Sequence, residues 1–107
     1  RDGRILGLDV RIVKDVGAYH CFSIHEPTNT INHLPSQYKV PAFRAEGVSV
    51  VTNKVPSAPY RGAGRPEAIL VIERLLDRLA AKLGIDPAEV RSRNMIAPAE
   101  MPYRPGL

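Results

Sequence analysis

The densest chemistry in the chain lies in seven residues, Tyr60-Arg61-Gly62-Ala63-Gly64-Arg65-Pro66. Two glycines one residue apart let a backbone come close to a ligand. The first turn of a helix beginning at Pro66 would add unpaired N–H groups and a partial positive charge. Arg61 and Arg65 bring planar donor forks suited to phosphate or carboxylate. Together these features describe an anion cradle. It is not a Walker loop, because no Gly-Lys-Ser/Thr follows. It is not a dinucleotide fingerprint either, because Glu67 stands where a third glycine is needed. On residue types alone, a tight turn with two solvated arginines is the favoured description.

Other candidates carry less. His20, Cys21, His25 and His33 have no zinc-ligand spacing and include one thiolate, so they read as ordinary strand and loop residues, Cys21 as a half-buried strand residue. Glu73 and Asp77 stand one helical turn apart beside Arg74 and Arg78, which reads as a solvated helix face.

The elements that position the loop follow from periodicity. Over residues 4–13, Leu6, Leu8, Val10 and Ile12 alternate with Asp9 and Arg11, the pattern of a half-exposed strand. Asp2-Gly3 before it suits a two-residue hairpin turn whose first strand is missing, so the chain is expected to be a piece of something longer. Weaker strands are expected over 18–24 and 47–53, with a loop over 25–36 marked by Pro27, Asn29, Asn32 and Pro35. The period then changes. Ala68, Ile69, Ile72, Leu75, Leu76, Leu79, Ala80 and Leu83 form the stripe of an amphipathic helix over 66–83, with Pro66 in its first turn and Gly84 past its end. Asp86-Pro87-Ala88-Glu89 places a cap, an N1 proline and a capping-box glutamate before a short helix over 87–94. The expected fold is α+β: a sheet of about three strands, covered on one face by the long helix. Its expected core is Leu6, Leu8, Val10, Ile12, Val50, Ile69, Ile72, Leu76, Leu79 and Leu83.

With 107 residues, 44% of them hydrophobic and 24% charged, the chain suits one globular domain. No apolar run approaches the ~20 residues of a membrane span. A single cysteine excludes an internal disulfide framework and fits a reducing, cytoplasmic compartment. The net charge of +4 suits an anionic ligand or partner. Nucleic acid is disfavoured, because the six aromatic residues do not interleave with a basic stripe.

Thr52-Asn53-Lys54-Val55-Pro56 and the run from Ala58 to Ala68 resemble the molybdenum-cofactor-binding large subunit of the xanthine dehydrogenase, aldehyde oxidase and carbon monoxide dehydrogenase family. Asp2-Gly3-Arg4-Ile5, Asp15-Val16-Gly17-Ala18-Tyr19, Tyr38-Lys39-Val40-Pro41, Leu83-Gly84-Ile85-Asp86-Pro87 and Arg91-Ser92-Arg93-Asn94 extend the likeness to nearly the whole chain. The resemblance implies that residues 1–107 are part of a molybdopterin-binding domain, incomplete at both ends. It also implies that Arg61 offers its backbone amide to the molybdenum–pterin centre, with Gly62 and Gly64 shaping the cofactor-binding loop. Ala63 takes the substrate-pocket place where purine and aldehyde oxidisers hold a stacking phenylalanine. Gly62 stands where copper-dependent carbon monoxide dehydrogenases hold a cysteine, so copper is not expected; the loop looks like the form II, carbon-monoxide-dehydrogenase-like group. The family's glutamate base and its glutamine-bearing cofactor loop match nothing in this chain, so no catalytic residue and no protein metal ligand is assigned. The implied function is that of a segment of a molybdenum hydroxylase, adding water-derived oxygen to an aldehyde or N-heteroaromatic substrate. Its implied partners are the remainder of the large subunit and subunits or domains carrying iron–sulfur clusters and FAD. By itself the chain is expected to be inactive. The alternative is an independent small basic α+β module binding an anionic ligand or nucleic acid.

Overall fold

Alternation of apolar and charged residues builds the first strand, though it is shifted from the expected span. In the computed structural model, which describes residues 2–19 and 22–104, β1 is Leu8–Gly17. Residues 4–7 run ahead of it outside the sheet, and Leu6 is 82% exposed rather than part of the core. Gly3 does adopt a left-handed backbone (φ 80°), and its turn is tied to the far end of the chain. The Asn94 side chain donates to Gly3 O at 2.8 Å and accepts from Ile5 N at 2.7 Å.

The sheet has two strands, not three. β2 is Phe43–Val51, and it pairs with β1 in parallel, Leu8 opposite Phe43 and Ile12 opposite Gly47. Parallel pairing needs a crossover, and residues 18–42 supply it. Part of that crossover is α1, Glu26–His33, where the composition suggested a loop. The expected strand over 18–24 is also absent. His20 and Cys21 lie outside the described residues, Phe22 is left-handed (φ 54°), and Ser23–His25 is a single 3-10 turn. α1 lies on the middle of the sheet, where Pro27 and Ile31 press on Gly47 and an added Cβ would sit 3.1 Å from each, while the long helix meets the Leu8 and Phe43 end of it through the core.

The two later helices match their signals closely. α2 is Arg65–Leu83, closed by Gly84 in a left-handed conformation (φ 66°). α3 is Pro87–Asn94, and Asp86 caps it by accepting from Ala88 N at 2.8 Å and Glu89 N at 3.1 Å. Glu89 does not complete a capping box; it pairs with Arg93 at 2.8 Å, one turn on. The core gathers Tyr38, Val40, Ile72, Leu76, Ala80 and Val90, with Ile5, Leu8, Phe43, Leu79 and Ile85 packed around it. Ala68, Ile72, Leu76 and Ala80 are the buried row of the helical stripe, while Ile69 beside them is 44% exposed, and Val50, on the sheet face away from α1, is 39% exposed. Leu8, Val10, Ile12, Leu79 and Leu83 are half-buried.

Glu73 and Asp77 do not form a solvated face. Arg91 of α3 donates to Glu73 Oε2 at 2.7 Å and Asp77 Oδ1 at 2.8 Å, and the buried Tyr38 hydroxyl donates to Glu73 Oε1 at 2.8 Å. Burial first, then the Glu73 carboxylate, pushes the Tyr38 phenol up to about 12.

Candidate functional site

The run from β2 into α2 is anchored at the end of β1. Thr52 Oγ1 donates to Asp15 Oδ1 at 2.6 Å, and Lys54 Nζ lies 2.7 Å from Asp15 Oδ2. These two bonds, Lys54 first, hold the Asp15 carboxyl down at about 2, with the Gly17 N–H adding to them. Ala18 N to Lys54 O (3.0 Å) and Ser57 N to Val16 O (3.2 Å) continue the seam. The loop that follows is therefore launched from a fixed point.

Three consecutive residues of that loop are left-handed: Gly62 (φ 95°), Ala63 (φ 48°) and Gly64 (φ 89°). For alanine this conformation costs about 1–2 kcal/mol, so neighbouring contacts must hold it. Arg65 N closes the turn on Gly62 O at 3.2 Å, and Ala68 N on Gly64 O at 3.1 Å begins the helix. The glycines serve this packing directly. A Cβ on Gly62 would sit 2.7 Å from the Pro66 ring, and one on Gly64 would sit 2.6 Å from Glu26 O and Thr30 Oγ1 of α1. The close approach that glycine permits here is thus to the protein's own helix.

Arg61 is exposed, and Tyr60 is 99% exposed. Among the described residues no acceptor engages the backbone N–H groups of Arg61, Gly62, Ala63 or Gly64. Arg65 is exposed as expected, and it also donates to His33 Nε2 at 3.3 Å. Ala63 borders an open cleft of about 400 Å³, also lined by Phe22, His25, Glu26, Asn29 and Asn32. Glu26 is buried there against Lys14, whose Nζ lies 2.6 Å from Glu26 Oε2. Of the four loop residues, Ala63 lines the cleft with Pro59, facing α1, while Arg61 is exposed and Gly64 is buried.

That wall was missed from sequence. Its signal was present: Pro27 in the first turn and Pro35 just beyond the end punctuate a helix, and Glu26, Asn29, Thr30 and His33 recur at helical spacing. His25 and His33 do not gather as metal ligands; one lines the cleft and the other bonds α1 and Arg65. Among the described residues no helix is long and apolar enough to cross a membrane.

Residues 1–95 match the family model described as the molybdopterin cofactor-binding domain. The chain is 37% identical over 99 residues to a probable xanthine dehydrogenase subunit of Bacillus subtilis (strain 168), covering 92% of this chain and 13% of that protein. It is 38% identical over 106 residues to the carbon monoxide dehydrogenase large chain of Hydrogenophaga pseudoflava, covering 95% of this chain and 13% of that one. Among solved structures it superposes on quinoline 2-oxidoreductase from Pseudomonas putida 86 with a TM-score of 0.90 and 37% identity, covering 98% of this chain and 14% of that chain. It therefore spans about one-seventh of the length of these relatives.

Proposed function

Because the chain belongs to the molybdopterin cofactor-binding domain family, we propose that its 60–64 loop and the adjoining cleft form one wall of the active site of a molybdenum hydroxylase. The observation that carries this reading is the run of three left-handed residues whose N–H groups have no acceptor among the described residues, beside an open cleft. The cofactor of this family is molybdenum–molybdopterin, which supplies the two-electron oxidation when bound. The loop fits such a group: successive free N–H donors suit its oxygen-rich, anionic periphery, and the exposed Arg61 guanidinium adds positive charge.

In this reading the Arg61 N–H is the cofactor donor, and Gly62 and Gly64 set the backbone that presents it. Ala63 contributes only a methyl group to the cleft, leaving room for a ring or carbonyl substrate without stacking on it. Asn32 lines the cleft with a neutral donor and acceptor that can orient such a substrate. The reaction is hydroxylation of an aldehyde or N-heteroaromatic compound with oxygen drawn from water. Residues 1–107 act as part of a molybdopterin-binding domain, alongside the remainder of a large subunit and iron–sulfur and flavin partners.

The test uses the full-length subunit with whichever of benzaldehyde or quinoline the wild type turns over. Ala63→Phe puts an aromatic ring into the cleft, so kcat/KM is expected to change at least about tenfold, near 1.4 kcal/mol, by blocking the substrate or stacking on it, while molybdenum content stays at the wild-type level. Unchanged kinetics with a phenylalanine at this position would overturn the assignment.

A further inference from the structure

The loop rests on one face of α1. Glu26, Asn29, Thr30 and His33 fall three or four residues apart and so share a side of the helix. Each makes a distinct contact. Glu26 O and Thr30 Oγ1 seat Gly64. The Asn29 side-chain amide donates to Ala63 O. His33 Nε2 accepts from Arg65 Nε at 3.3 Å, which puts the ring proton on Nδ1, where it donates to Asn29 O at 2.7 Å.

The Asn29 contact differs from the others in what it constrains. Ala63 is the one residue of the left-handed run that lacks glycine's freedom (φ 48°), and its carbonyl is the atom Asn29 holds. A trans peptide points its C=O and its following N–H in opposite directions. Fixing Ala63 O on α1 therefore aims the Gly64 N–H away from α1.

We propose that Asn29 is a positioning residue for the loop: by binding the Ala63 carbonyl it holds the left-handed turn whose preceding Arg61 and Gly62 N–H groups face outward to a cofactor. His33 acts at one remove, steadying Arg65 and the α1 backbone at Asn29. The inference rests on the reading of the loop as a cofactor wall.

Asn29→Asp tests it in the full-length subunit, because it replaces the donor with an acceptor at constant size. Amide hydrogen exchange in a peptide covering residues 60–66, read at the Arg65 amide that Gly62 O holds, is expected to rise at least tenfold, with residues 70–82 still protected. Turnover per bound molybdenum is expected to fall at least tenfold, and Lys82→Ala should change neither. Unchanged exchange at 60–66 would overturn the positioning role whatever the rate. Faster exchange with normal turnover per molybdenum would instead overturn the reading of the loop as a cofactor wall, and the positioning role with it. Should Asn29→Asp fail to fold, Asn29→Ala, which removes the donor with a strong helix former, carries the same expectations.

Discussion

Two regions of this molecule are fastened in opposite ways. Between α2 and α3, one guanidinium does most of the joining: Arg91 binds Glu73 and Asp77, and also donates to Glu73 O at 3.3 Å and Pro87 O at 3.1 Å. Tyr38 adds a further bond to Glu73, and every residue of this knot has an ordinary backbone. At the loop the bonds are mostly neutral and single, one to Ala63 O and one to Arg65, and the backbone is left-handed at three positions in a row. The first region is redundant and relaxed. The second is strained and held by shape. Strain of this kind gathers where a backbone must present its own N–H groups, and redundancy gathers where helices only need to stay together.

The comparison breaks most sharply at Gly64. Gly64→Val places a side chain where Glu26 O and Thr30 Oγ1 already lie 2.6 Å from the Cβ position, at a φ of 89° that valine rarely adopts. The loop should leave α1, and molybdenum content of the full-length protein should fall below a tenth of the wild-type level. Wild-type metal content in this variant would show that the seating on α1 does not shape the site.

Arg91→Ala probes the other region. It leaves the Glu73 and Asp77 carboxylates without the guanidinium they share, so a loss of about 2–3 kcal/mol is expected by denaturant titration. Because the knot lies apart from the loop, turnover per bound molybdenum should stay within about twofold at low temperature. A variant that keeps its stability but loses turnover would erase the distinction between the two regions.

The smallest effect is expected at Asp15, which launches the loop. Its carboxyl is held at about 2, below the ordinary 3.8, so its stabilising contribution is complete above pH 3.8. That contribution fades as pH falls toward 2, when the folded carboxylate takes up its proton. Amide protection at residues 52–57 should weaken across that window, and Thr52→Val should move the change to higher pH. Protection that is flat over this range would remove Asp15 from the account.

The helical half was legible in the sequence because its signals are local. Pro66, Gly84 and Asp86 mark ends that chain neighbours alone can enforce, and the stripe through Ile72, Leu76 and Ala80 needs only the period of a helix. The loop was legible as a motif, and of the residues assigned to it Ala63 lines the cleft. Reading Ile69 and Val50 as core failed because periodicity names a face without saying how much of it a neighbour will cover. Reading residues 25–36 as a loop failed because prolines and asparagines were weighed as breakers without regard to their places at the ends of α1.

By itself, then, the sequence determined α2, α3, their caps and the family likeness carried by residues 52–68. The tertiary structure decided the rest: that β1 and β2 run parallel, that α1 lies on the sheet and under the loop, and that Asn29 meets Ala63, 34 residues away. Caps and helical periods arise from contacts within a few residues, where the chain has little choice. Strand partners, and the side chain that holds a strained carbonyl, come from distant segments that only the assembled core brings within reach.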